Sequence, residues 1–484
     1  MGETVQTVEA SEMPAPAAGF PEAPAPAAGL SEAGGGHAVD MTRGPIWRQL
    51  AAFALPVGIG MLFQQLYSTV DGLVVGNFVG VAALGAVTGT TVVTWALVSL
   101  LIGLSTGASV VVAQCFGARD YEGVRRAVHT AVLAMGVLSL VFAALGVLVS
   151  PLMPRMLRMD ASLVPDATVY LQVYCVGFPG LLLYDVGTGI LRAVGDTRRP
   201  LYVLAATSAL NVGLDVAFVV LLGWGVAGAA WATVASEAAA AAITLALLVR
   251  SCACYRLEPR RLAVDVEKLR KMASVGIPAG IQMAIISFSN VFVQAYVNGF
   301  GAAVTTGWGV DSRVDGFVFL TVQSLCLALT TFVGQNYGAG DLARIRRGTV
   351  VCRRLAVGCA LVVCALCIAF AEPLAALFTP DEAARAYGVF FIRLFCLLDV
   401  VNVFNNVDQS ALQGMGVTKV PTLISIGTFV VLRQAYLAVV SAMGGSLLAI
   451  ALGFPVGWLG CSVIMHVYLR RCRVGRKVFG RDAA

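Results

Sequence analysis

The chain has 484 residues, of which 58% are hydrophobic and only 12% charged, with a formal charge of +6 and a mean hydropathy of +0.84. A soluble domain carries about 25% charged residues, so this composition excludes a soluble globular protein and implies a polytopic helical membrane protein. The net positive charge is not a nucleic-acid footprint, because the basic residues cluster between apolar runs.

Residues 1–44 are rich in Ala, Pro, Gly and Glu, with APAAG written at 15–19 and again at 25–29. They have neither a basic start nor an apolar core, so they do not read as a signal peptide. A disordered cytoplasmic tail is expected there. Apolar runs of spanning length then fall near 50–76, 88–115, 127–150, 167–192, 201–222 and 226–249. A second set falls near 271–298, 311–335, 351–370, 386–412, 421–442 and 447–469. The reading is an all-α membrane protein of twelve spans. It divides into an N-lobe over 45–250, a cytoplasmic inter-lobe loop over 251–270, a C-lobe over 271–469 and a basic tail over 470–484.

The two sets of six repeat each other. At an offset of 221 residues, VVAQCFGARDYEGVRRAV (111–128) lies over TFVGQNYGAGDLARIRRG, so Gln114, Gly117, Asp120, Arg125 and Arg126 meet Gln335, Gly338, Asp341, Arg346 and Arg347. The same offset sets LRAVGDTRRP (191–200) over LQGMGVTKVP. An even number of spans per repeat gives both lobes the same orientation, related by a pseudo-two-fold axis along the membrane normal. Arginines and lysines follow spans two, four, eight and twelve and fill the central loop, so both termini are expected in the cytoplasm. The paired-arginine turns after spans two and eight read as loops that set helix entry and topology.

Span five, LYVLAATSALNVGLDVAFVVLL (201–222), carries Asn211 and Asp215 on one helical face at membrane depth. An Asp there costs a few kcal/mol on insertion scales and needs a partner or a function. On span one, Gln64, Tyr67 and Ser68 share a face with Asp71. Asp185, Asp399 and Asp408 are the other acids read within the spans. No GxxxxGK[ST] phosphate cradle occurs, and no metal or nucleophile constellation suggests an enzyme. Most of the 12 cysteines lie in or beside apolar runs. The Cys364/Cys367 pair lacks a second ligand pair, so the cysteines read as small packing residues. His37, His129 and His466 are scattered.

With these residues in view, the chain after residue 45 resembles the multidrug and toxic compound extrusion (MATE) transporters. The likeness rests on the two six-span repeats, VVAQCFGARD after span two and LRAVGDTRRP after span four, and is closest in motif to the DinF-like prokaryotic branch. It implies an N-lobe cation site built from Asp71, Asn211, Asp215 and Thr233. Two carboxyls in a desolvated pocket repel when both are ionised, and hard oxygen ligands suit Na⁺, so H⁺ and Na⁺ both remain open as coupling ion. No other cofactor or metal is expected.

The second repeat puts Leu432 and Tyr436 where Asn211 and Asp215 stand, and Val293 near Asp71, so the site is not duplicated. NorM-like members carry a Glu on span seven, where this chain has none, although Asp399 on span ten matches them. Gln64, Tyr67, Gln282, Asn290, Gln294, Asp399, Asn402 and Arg433 are candidates for a substrate cavity. Arg433, an intramembrane cation, is expected to pair with an acid or face water. The implied activity is ion-driven export of amphipathic or cationic organic compounds by a monomer in the cytoplasmic membrane, in contact with lipid. The alternatives are a flippase for lipid-linked oligosaccharide and a non-transporting receptor or scaffold.

Overall fold

Four of the helix starts are set by an aspartate. Asp120 and Asp341 accept hydrogen bonds from Gly123 N and Arg344 N at 2.8 Å each, and Asp265 and Asp381 accept from Lys268 N and Ala384 N at 3.1 and 3.0 Å. Such caps contribute about 1 kcal/mol each by satisfying donors that the first turn leaves free. Asp120 and Asp341 are repeat equivalents, preceded by Arg119 and Gly340 in the left-handed region at φ 59° and 74°. The repeated turns are therefore structural devices that stop one helix and start the next. The paired arginines serve the same turns: Arg125 and Arg126 both bridge to Glu122, at 2.9 and 3.4 Å.

The computed structural model describes residues 39–156 and 159–479, and among them no strand occurs. The N-lobe comprises α1 (Ile46–Val79), α2 (Val81–Gly117), α3 (Tyr121–Val149), α4 (Val164–Ala193), α5 (Arg198–Leu221) and α6 (Gly225–Arg250). The C-lobe comprises α7 (Val266–Asn298), α8 (Ala302–Gly338), α9 (Leu342–Ala369), α10 (Glu382–Gly414), α11 (Lys419–Ala442) and α12 (Leu447–Arg471). Eleven of these are long and apolar enough to cross a membrane, and α4 makes a twelfth as two pieces bent by 44°. The bend falls at Gly177, two residues before Pro179, whose missing N–H removes a helical hydrogen bond at that turn. The twelve expected spans are all present, with ends shifted by a few residues.

Two expected boundaries move. Helix α7 begins at Val266, capped by Asp265, so the inter-lobe loop is shorter than 251–270. That loop is tied down on the N-lobe. Glu258 N donates to His129 Nε2 at 3.1 Å, Asp265 N to Thr130 Oγ1 at 2.9 Å, and Arg199 to the Tyr255 hydroxyl at 3.2 Å. Burial pushes the loop's Cys254 thiol up to about 11, leaving it a neutral packing group. The tail expected to be disordered through residue 44 is ordered from Val39 onward, because Met41 is 1% exposed within the C-lobe core. Residues 1–38 of that tail lie outside the described residues.

The lobes meet through glycines, the residues that let membrane helices approach most closely. A Cβ on Gly103 would fall 2.2 Å from Gly280 N, and one on Gly107 would fall 2.2 Å from Met272 O. Gly117 and Gly338, repeat equivalents, each sit against the other lobe's glutamine: a Cβ would lie 1.8 Å from Gln335 O and 1.9 Å from Gln114 O. These contacts run from the arginine-rich turns at Gly117 and Gly338 to the helix middles at Gly103 and Gly280. The lobes are thus sealed at the basic end.

Gly338→Ala must part this seam. We expect a loss of about 1–3 kcal/mol, as for overpacking in a filled core, read as a lower Tm of the purified protein. Gly309→Ala, on the same helix but with nothing within 4 Å of the added carbon, should leave the Tm unchanged. Equal effects would remove the argument for a tight seam.

Candidate functional site

Helices α1 and α5 change winding beside the N-lobe acids. Val75–Val79 of α1 and Val216–Leu221 of α5 are π-wound, the first beginning one turn after Asp71 and the second directly after Asp215. Such wide turns cluster at functional sites because they leave backbone and side chains imperfectly packed. Val74, Val75, Val219, Val226 and Ala229 close over this level as an apolar plug, with Tyr170 against it.

Beneath the plug, α1 packs on α5 and α5 on α6. Asp215 is 0% exposed and Asn211 2%, and Asp71 is half-buried. Asp71 and Asp215 lie within electrostatic reach of each other. One oxygen of Asp71, both oxygens of Asp215 and both amide atoms of Asn211 are buried without a hydrogen-bond partner among the described residues. Orphaned buried polar atoms are rare in folded proteins. Five in one layer mark a place built to receive something. Thr233 is half-buried and spends its donor on Ala229 O at 3.2 Å, leaving only lone pairs to offer. The available atoms are then hard oxygens with one amide, a set that fits H⁺ or Na⁺ rather than a thiophilic metal. Among the described residues, no three His, Cys, Asp or Glu side chains converge as a metal site.

A second polar layer lies one turn nearer the basic end. Tyr67 stands on α1 one turn from Asp71, with the Gln64 side chain beside it. Glu237 stands on α6 one turn from Thr233 and is half-buried. Around Glu237 are Tyr67, Tyr174 and Tyr184, with Asp185 also in electrostatic reach. Tyr174 stacks on Tyr170 at 5.9 Å. Glu237 has no ion pair among the described residues. The sequence reading did not single it out, although its spacing of four from Thr233 puts both on one helical face.

The C-lobe is wired differently. Arg433, 2% exposed, has no acid partner among the described residues. It donates to Ser289 Oγ at 2.8 Å and lies 4.7 Å over the Phe454 ring. Asp399, 5% exposed, lies within electrostatic reach of Asp315, a second carboxyl that sequence reading missed along with Asp311. DSRVD at 311–315 places these two acids one helical turn apart, a signal that Arg313 between them obscured. Asp408, 1% exposed, ties three helices together by pairing with Arg353 and, at 3.1 Å, with His466.

The remaining cavity candidates have the following places. Gln282 is buried and accepts from Thr422 at 3.2 Å, joining α7 to α11. Gln294 bonds to Asn298 at 2.8 Å, and Asn290 and Gln64 are exposed. Asn402 is half-buried and its carbonyl accepts from Asn406 at 2.9 Å.

The MatE family model matches twice, over residues 56–217 and 278–439, once in each lobe. A probable multidrug resistance protein of Bacillus subtilis, YpnP, is 29% identical over 435 residues, covering 90% of this chain and 97% of its own. An FAD transporter of Shewanella oneidensis is 27% identical over 72% of this chain and 78% of its own. Among solved structures, a MOP superfamily transporter from Pyrococcus furiosus superposes with a TM-score of 0.84 at 23% identity, covering 90% of this chain and 98% of that one. This last likeness speaks to the fold.

The orphaned amide of Asn211 gives a test. Asn211→Leu removes two unsatisfied buried atoms, so the purified protein should keep or raise its Tm, since apolar replacement of unpaired polar groups is neutral or stabilising. It should also lose any rise in Tm produced by Na⁺ or by lowered pH. A large fall in Tm would mean that Asn211 is a structural residue.

Proposed function

The chain belongs to the MatE family, and on that premise we propose that it is a secondary active antiporter for amphipathic organic compounds. It exports its cargo, cationic compounds above all, in exchange for H⁺ or Na⁺. It works as a monomer in the cytoplasmic membrane with both termini in the cytoplasm. Relatives named for multidrug resistance support the cargo class, and the two-lobe architecture supports alternating access.

One observation carries the coupling: the five partnerless polar atoms of Asp71, Asn211 and Asp215. An ionised carboxylate without donors is costly away from water, so the packed arrangement is stable when a proton or Na⁺ is present. Loss of that ion leaves two carboxylates in mutual repulsion, which α1 relieves by repacking against α5 and α6. The ion therefore binds two states of the N-lobe unequally, as a driving gradient requires. Glu237 and its tyrosines form the cationic-cargo layer, joining carboxylate attraction to the faces of aromatic rings.

In proteoliposomes under imposed proton and sodium gradients, Asp215→Asn should abolish ion-driven dye efflux while the protein remains folded and monodisperse. Unchanged coupled efflux would falsify the assignment. Glu237→Gln should weaken binding of cationic dyes on the order of tenfold, as loss of a charge-assisted contact does, and leave binding of an anionic flavin nucleotide unaffected. Equal weakening of both would place Glu237 in the fold rather than in cargo selection.

A further inference from the structure

We propose that Gln114 and Gln335, strapped together by the chain segment 39–44, form the gate that closes the basic end between the lobes. The proposal rests on the alternating-access reading above. Gln114 on α2 donates to Gly414 O of the C-lobe at 3.0 Å. Gln335 on α8 donates to Ala193 O of the N-lobe at 2.9 Å. Donors and acceptors are both related by the 221-residue repeat offset, so the clasp is two-fold symmetric, each glutamine reaching across to end the other lobe's fourth helix of the repeat. These glutamines lie beside Gly117 and Gly338, where the backbones are closest.

The strap breaks the symmetry. Val39 N donates to Val194 O of the N-lobe at 3.1 Å. Two residues on, Met41 N donates to Gln335 Oε1 at 2.9 Å, and Met41 O accepts from Asn336 at 3.2 Å and from Arg344 Nε at 3.1 Å, all in the C-lobe. Arg344 also donates to Gly44 O at 2.9 Å and to Gln49 Oε1 at 2.8 Å. Gly195 permits this course, since a Cβ there would fall 2.4 Å from Val39 O and its φ is +89°. Gln335 is 0% exposed and has both ends of its amide engaged, one on each partner. Among the described residues no counterpart strap covers Gln114; its side-chain nitrogen lies 3.5 Å from where a Cβ on Gly416 would sit.

Opening toward the basic face requires all of these bonds to break, and the strap holds them in a dry seam where they are strongest. The gate is therefore biased closed from one side, by a segment that leads directly into α1.

Double electron–electron resonance tests this on the full chain in lipid nanodiscs, with no substrate added. Spin labels are attached through keto-bearing unnatural residues at Arg126 and Arg347, which are exposed repeat equivalents, so the native cysteines stay untouched. The parent should give a narrow, short distance. Gln335→Ala, and separately deletion of residues 1–41, should raise the long-distance population on the order of tenfold, as loss of one or two buried hydrogen bonds does. Deletion of residues 1–37, which spares the strap, should match the parent. The deletions leave the C-lobe sequence intact, so they remain informative if Gln335→Ala fails to fold. Unchanged distributions in both Gln335→Ala and the 1–41 deletion overturn the gate, and an equal shift from the 1–37 deletion overturns the strap. The readout is conformational, so it stands apart from whether Asp215 couples transport.

Discussion

Asp215 is wholly buried and neither of its carboxyl oxygens meets a donor. The rest of the N-lobe is arranged around that deficit. Neighbouring helices could have satisfied it with a hydroxyl or an amide, yet Thr233 turns its hydroxyl to its own helix and Asn211 stays unbonded. Helix α5 also departs from α-winding at the next residue. A membrane interior makes each such atom expensive. The layer persists because packing elsewhere in the lobe holds it, chiefly the cluster running from Leu101 through Tyr255 to Met272.

Duplication gave the C-lobe the same helices but not the same chemistry. The repeat offset puts Phe454 where Thr233 stands and Leu432 where Asn211 stands. Into that apolar counterpart the C-lobe inserts Arg433, resting on the Phe454 ring and on Ser289. A guanidinium does not give up its proton. One lobe thus holds a buried carboxylate layer, the proposed site of an exchangeable cation, and the other holds a cation that is fixed. The halves share an architecture and divide the electrostatic labour.

Much of this was legible in the sequence, and the reasons differ by residue. Span number and the repeat follow from hydropathy and from matched turns, because twelve apolar runs and capping aspartates leave marks at fixed spacing. Asp71, Asn211 and Asp215 stood out because polar groups at membrane depth are rare. Glu237, one turn nearer the basic end, escaped, since a lone Glu in an alanine-rich helix has no partner nearby in sequence. Arg433 suggested an acid and instead found an aromatic ring, a tertiary pairing that no spacing reports. The strap was hidden for a different reason. Residues 39–44 continue a tail whose composition reads as disordered, and their order comes from backbone bonds to Gln335, Asn336 and Arg344, nearly 300 positions away. Composition describes a segment's own tendency to bury itself. It is silent about a groove prepared by distant helices.

Helix α1 joins these parts mechanically. Its first turn follows the strap, and Asp71 lies twenty-five residues beyond Ile46, about 37 Å along the axis at 1.5 Å per residue. Between them Pro56 cannot bond to the carbonyl of Ala52, so the helix has one place where bending costs less. On the proposed coupling, a change of charge at Asp71 would act on the far end of this helix, with the strap at its near end. The near half of α1 also packs in the C-lobe core through Leu50, Phe53, Ala54 and Val57, while Val74 and Val75 at its far end pack with Val219 of α5, so displacement of α1 would load contacts between the lobes. The polar layer at Asp71 and the basic-end seam are then two ends of a single helix, and under the proposed coupling the stiffness of its segments before and after Pro56 sets how much of an ion's binding energy reaches the seam.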